Sequence, residues 1–143
     1  MLAADGLFVY GPLREGGSQH GWLLRTQPEG LTRAWVPGRL FRLPEGFPAL
    51  VAGAEPPDPP PGPGWVTGEF VGYEDSDELE AALADLDAIQ GTEEGLFDRE
   101  ILPVVLEGGL HFRAWTHVFH MERLPRLERE ATELPGGDWG AHL

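Results

Sequence analysis

The segment Ala54–Gly64, AEPPDPPPGPG, sets the first limit on how this chain can fold. It holds six of the fourteen prolines in the chain. Proline fixes φ and has no backbone donor, so this segment cannot lie in a central strand or a helix interior. It reads as a polyproline II surface loop. Such loops also serve as ligands for aromatic grooves, but they need no partner to exist. Around it the sequence reads as short strands and one good helix.

LFVYG, Leu7 to Gly11, is a continuous apolar run ending at a Gly-Pro turn, the pattern of a buried strand. RAWVPGRLFRL and PALVAG read as strands broken by Gly and Pro. WVTGEFVGYE, Trp65 to Glu74, alternates in part. FDREILPVVLEGGLHFRAWTHVFH reads as a hairpin turning at Gly108-Gly109. The tail LPGGDWGAHL is irregular, and the large indole of Trp139 is expected to pack onto the body. No repeat of 20–50 residues is present, which argues against a solenoid or propeller.

A chain of 143 residues fits one domain, 1–143, and 41% hydrophobic residues give it a globular composition. It has no cysteine, which excludes disulfides, thiolate nucleophiles and Cys-ligated metals. The net charge of −14 opposes binding to phosphate backbones, so nucleic acid is not an expected partner. The N-terminus has no basic region before its apolar run. That run is far shorter than the ~20 residues of a membrane helix, so neither a signal peptide nor a span is expected. A cytoplasmic location fits these features.

The helix is the clearest element. Asp75 is a candidate N-cap, with Glu78 at capping-box spacing. Acids crowd the first turn, which suits the positive end of the dipole. Leu79, Leu83 and Leu86 form a core-facing stripe, and Gly91 has the place of a C′ glycine. Gln90 follows four residues after Leu86. At ~100° per residue it lies about 20° from Leu79 around the axis. An amide therefore falls on the apolar face in the last turn, where an unpaired burial costs roughly 1–3 kcal/mol.

His111, His117 and His120 fall on one predicted strand. His111 and His117 share a face but are six residues apart, ~20 Å, too far for one metal, so neither a metal nor another cofactor is expected. Ser18 and Ser76 do not fit a nucleophile elbow, and no Walker loop or G-x-G-x-x-G occurs. What remains is FVYGPLREGG, Phe8 to Gly17, a buried strand running into a Gly-rich turn. Such exits expose backbone N–H groups that can hold an anion, although a plain strand-ending turn has the same look.

FVYGPLREGG resembles the N-terminal Tyr-Gly-(Thr/Ser)-Leu-Arg signature of the γ-glutamylcyclotransferase-like (AIG2-like) family. Further segments follow in family order. FPALVAG is similar to the Tyr/Phe-Pro-Ala strand, VTGEFVGY to the strand before the helix, and LADLDAIQG to the Leu-Asp-x-x-Glu-Gly helix end. LFDREILPVVLEGG is similar to the Tyr-x-Arg strand, FRAWTHVF to the Ala-Trp-x-Tyr strand, and LPGGDWGAH to the closing Ser-Gly-Asp-Trp segment. The resemblance covers nearly the whole chain. It implies an α+β fold, a small mixed β-barrel with one main helix packed on it.

The resemblance also implies a site. The family's Tyr-Gly-x-Leu loop cradles a γ-glutamyl moiety, and a glutamate at the helix end is general base and acid for closing 5-oxoproline. Carried onto this sequence, the loop is Tyr10, Gly11, Pro12, Leu13 and Arg14, and the base position is Gln90. An amide cannot shuttle a proton near neutral pH. Pro12 replaces a hydroxyl residue and removes a donor, and Phe97 stands where the family often has Tyr. Three readings stay open. The first is a small-molecule γ-glutamyl or amide binder with weak, altered or lost catalysis. The second is an active cyclotransferase with Glu93 or Glu94 as a displaced base, against a solvated acidic loop as the plainer account of that pair. The third is a non-enzymatic protein-interaction module. The sequence does not set the oligomeric state.

Overall fold

Among the described residues, seven strands and three helices make up the regular structure. They are β1 (Gly6–Val9), α1 (His20–Leu24), β2 (Gly30–Arg42), β3 (Pro48–Ala52), β4 (Trp65–Gly72), α2 (Ser76–Gln90), β5 (Phe97–Leu106), β6 (His111–Phe119), α3 (Leu124–Glu130) and β7 (Thr132–Leu134). The computed structural model describes residues 4–11, 14, 20–25, 28–44, 46, 48–56, 58–60, 62–90, 97–119, 124–134 and 137–139. For Trp22, Phe97, Leu124 and residues 86–90 only the backbone is described.

Five strands close a barrel. β2 pairs β4, β4 pairs β1, β1 pairs β6, β6 pairs β5, and β5 returns to β2. All these ladders are antiparallel except β1–β6, which is parallel. Closure removes open edges, which would otherwise template aggregation. β3 and β7 extend the second half of β2.

Alternation along each strand decides what fills the barrel. Phe8, Val36, Val66, Val104 and Val118, one from each barrel strand, share a buried interior cluster with Trp139 from the C-terminal segment. The alternate residues of β1, Leu7 and Val9, face outward and are covered by Leu79, Ala82 and Leu83 of α2. A third cluster of Phe41, Ala49, Val51, Phe119 and Leu127 lies where α3 meets β2 and β3.

β2 departs from expectation. The sequence predicts a strand broken at Pro37-Gly38, yet β2 runs unbroken for 13 residues. Up to Pro37 it pairs β4, and from Gly38 it pairs β3. The missing proline donor thus falls where the strand changes partners, the place a ladder loses least. The hairpin matches expectation: β5 and β6 pair from Phe97↔Phe119 to Val105↔His111, and Gly108 and Gly109 both have positive φ.

α2 starts as its sequence predicts. The Asp75 carboxylate accepts from the Glu78 amide at 2.8 Å, which satisfies one of the orphan donors of the first turn. The proline-rich segment lies between strands and is anchored at its exit. The Trp65 indole donates to the Asp58 carbonyl at 2.9 Å, and the Gly64 carbonyl accepts from Gly38 at 2.8 Å. No helix among the described residues is long and apolar enough to cross a membrane.

Candidate active site

The strand β1 delivers Tyr10 and Gly11 to one end of the barrel. Its pairing with β4 runs to Val9↔Glu69. Were the ladder to continue, Gly11 would face Thr67. Instead the Thr67 amide donates to the Gly137 carbonyl at 2.7 Å. The chain therefore leaves the sheet at Tyr10-Gly11, and the C-terminal segment satisfies the donor it leaves behind. The Arg14 amide then donates to the Gly11 carbonyl at 3.0 Å and closes a turn.

Tyr10 turns inward and is 5% exposed. Its hydroxyl donates to the His117 carbonyl at 2.6 Å. Burial pushes its phenol well above the usual range, with a smaller opposing effect from a hydrogen bond to the Leu50 backbone. The hydroxyl stays protonated and ties β1, β3 and β6 together rather than acting as an acid or base. Gly11 is buried hard against Pro48, and a Cβ there would overlap the proline ring.

The C-terminal segment is fixed just as tightly. Gly137 has φ +65°, and a Cβ on it would collide with the Trp65 carbonyl. Next to it, Asp138 accepts from Arg14 Nη1 at 2.6 Å. The Arg14 side chain is 15% exposed and the Asp138 side chain 36%. Charge-assisted contacts of this length are among the stronger hydrogen bonds. Trp139 follows and is 6% exposed, as the sequence anticipated. The Arg42 guanidinium lies 5.6 Å from its ring centroid.

Register brings the start of β5 to this end of the barrel. Phe97 pairs Phe119 and Arg99 pairs His117, while β1 runs parallel to β6 with Leu7↔Trp115. The start of β5 thus lies beside the end of β6, where the His117 carbonyl holds Tyr10. Gln90 is the last residue of α2, seven positions before Phe97 in sequence. Pro12 and Leu13 of the loop, and Glu93 and Glu94, lie outside the described residues, as do the side chains of Gln90 and Phe97.

The structure therefore brings Tyr10, Gly11 and Arg14 together with three residues that sequence reasoning did not assign to the site. These are Pro48, Asp138 and the carbonyl of His117. Pro48 and Asp138 lay inside motifs already noticed, but their contacts span large sequence separations that one sequence does not reveal. His117 was considered as a metal ligand. In the fold it is buried on β6 while His111 is exposed near the hairpin turn. Among the described residues no three His, Asp or Glu converge to hold a metal.

Comparison with known proteins follows the same lines. Residues 7–141 match the family model gamma-glutamyl cyclotransferase, AIG2-like. No curated protein matches significantly. Solved structures of similar fold include YkqA from Bacillus subtilis, at 19% identity and TM-score 0.59, covering 98% of this chain and 41% of YkqA. The chain thus spans about two fifths of that protein. An AIG2-like protein from Mus musculus matches at 20% identity and TM-score 0.53, over 82% of this chain and 78% of its own. The uropathogenic E. coli protein c4763 matches at 16% identity and TM-score 0.60, over 99% and 96%. These identities mark a shared fold.

Proposed function

Because the chain belongs to the gamma-glutamyl cyclotransferase, AIG2-like family, we propose that it binds a small γ-glutamyl or related amide ligand at the Tyr10–Arg14 end of the barrel, with cyclotransferase chemistry that is weak, altered or lost. The second half of this reading rests on α2 ending at Gln90, the residue that the sequence resemblance aligns with the family's glutamate.

The reaction asked of such a site is simple. The α-amino nitrogen of the ligand attacks its own γ-carbonyl carbon. The new C–N bond closes the five-membered lactam, 5-oxoproline. The bond to the departing amine breaks, and the proton lost by the attacking nitrogen ends on that amine. Intramolecular attack already supplies a large effective molarity. The remaining requirement is a group that takes the proton and hands it on. A glutamate at a helix C-terminus suits this, because both partial burial and the dipole raise its pKa toward neutrality. An amide has no such proton to exchange. Losing a general acid–base group typically costs 10²–10⁴-fold in rate.

The binding half rests on geometry. The loop leaves the sheet at Tyr10-Gly11, is seated on Pro48 and is pinned through Arg14 to Asp138. Anchors on both sides of the loop, at Gly11 and Arg14, suit a site that binds through backbone donors without reorganisation. A second reading keeps catalysis with Glu93 or Glu94 as the base. It is favoured only by their placement three and four residues after Gln90.

The test is 5-oxoproline release from γ-glutamyl amides by the native protein, by Gln90→Glu, and by Glu93→Gln and Glu94→Gln. Little release by the native protein and a gain in Gln90→Glu supports the main reading. Native activity that disappears in Glu93→Gln or Glu94→Gln supports the second. If no γ-glutamyl compound raises the melting temperature, the binding half fails.

A further inference from the structure

We infer that Trp139 is a binding residue whose indole N–H takes a carboxylate oxygen of the ligand, in a small anion subsite flanked by Arg14 and Arg42. This rests on the ligand-binding reading above and names one donor and one ligand group within it.

Trp139 Nε1 is buried and has no hydrogen-bond partner among the described residues. Leaving a buried polar group unpaired is costly, and such donors are uncommon in folded chains. The donor also stands in a particular place. Its ring belongs to the interior cluster that includes Phe8, Tyr10 and Leu50, so it shares the end of the barrel where the loop leaves the sheet. Trp35 Nε1 is also unpaired among the described residues. By strand alternation, though, Trp35 lies on the face of β2 opposite the interior Val36, away from Tyr10.

Charge selects the ligand group. The chain has 24 acidic against 10 basic residues, yet two arginines flank this segment. Arg14 Nη1 contacts Asp138, the residue before the indole, at 2.6 Å, and Arg42 stands 5.6 Å from the ring centroid. With one guanidinium over the indole ring and another at the preceding residue, this segment favours an anionic acceptor, and a carboxylate is the acceptor that a γ-glutamyl ligand carries. The nitrogen is covered, so a ligand reaches it only when the Gly137–Trp139 segment lifts. That movement breaks the Thr67–Gly137 hydrogen bond and the Arg14–Asp138 pair, both of which are single contacts.

The experiment titrates native protein and Trp139→Phe by calorimetry with three probes: a γ-glutamyl alkylamide, the same compound with its α-carboxylate converted to carboxamide, and glutarate. In parallel, the indole N–H signals of the 15N-labelled protein are followed. The chain has five tryptophans, and the signal missing in Trp139→Phe identifies Trp139. A hydrogen bond to a charged group predicts about tenfold or greater weakening of the γ-glutamyl alkylamide in Trp139→Phe and a similar loss for the carboxamide probe. The Trp139 signal should move downfield on binding. Undiminished binding to Trp139→Phe, or a stationary Trp139 signal on saturation, overturns the inference and leaves the γ-glutamyl reading standing. Binding of glutarate alone, weakened in Trp139→Phe, supports the subsite and defeats the γ-glutamyl reading. Binding of none of the three defeats both. If Trp139→Phe does not fold, the Trp139 indole signal is assigned in the native protein by triple-resonance spectroscopy, and its shift or constancy on saturation decides.

Discussion

Tyr10 ties three strands through one oxygen, and removing that oxygen exposes how much it holds. Tyr10→Phe leaves the His117 carbonyl without its donor in a buried place, so it should cost about 1–2 kcal/mol in denaturant unfolding. The pH dependence has a definite sign. Burial holds the phenol protonated in the folded chain, whereas an unfolded tyrosine ionises near pH ~10. The unfolded chain then loses a proton that the folded chain keeps. Stability is therefore fully present below about pH 10 and falls as pH rises beyond it. Tyr10→Phe should lack this part of the alkaline decline, and unfolding curves recorded from neutral to alkaline pH check it. The sequence marks Tyr10 and Gly11 as candidate site residues because their motif is local. It did not disclose that Asp138 holds Arg14, because that contact joins residues 124 positions apart.

Elements were readable where their signals were long and internally consistent. α2 had its cap, its acidic first turn and its leucine stripe, and Asp75 caps it as expected. Asp75→Ala should cost about 1 kcal/mol by thermal or urea unfolding, with activity and ligand binding unchanged. α1 and α3 have 5 and 7 residues, too few for a periodic pattern to stand out. β2 was misread as a broken strand because Pro and Gly usually end ladders. Here they sit at the transfer from β4 to β3, which depends on strands far along the chain. The C-terminal segment is irregular in sequence and yet placed by specific contacts. Gly137→Ala would force a positive φ on a residue with a Cβ and drive that Cβ into the Trp65 carbonyl. We expect a loss of roughly 1–3 kcal/mol and weaker ligand binding, read from melting temperatures with and without a γ-glutamyl amide. Unchanged stability would show that the segment yields easily.

For the whole molecule, the order of motifs along the chain becomes a meeting of elements in space. β1 brings Tyr10 and Gly11, β3 brings Pro48, β6 brings the His117 carbonyl, and the C-terminal segment brings Asp138 and Trp139, all at one end of a closed barrel. Motif order made the family and the α+β barrel readable from sequence, since each motif is short but few folds use all of them in that order. For chemistry the sequence offers one proposal, resting on Gln90, because the identity of a side chain states what it cannot do more firmly than what it does. The direct measurement is the rate of 5-oxoproline release from a γ-glutamyl amide by the native protein beside Gln90→Glu. Restoring the carboxylate should raise the rate by about 10²-fold or more, with a pH profile rising through the carboxyl's raised pKa. Equal rates in the two proteins, or a native rate that Gln90→Glu abolishes, would contradict it.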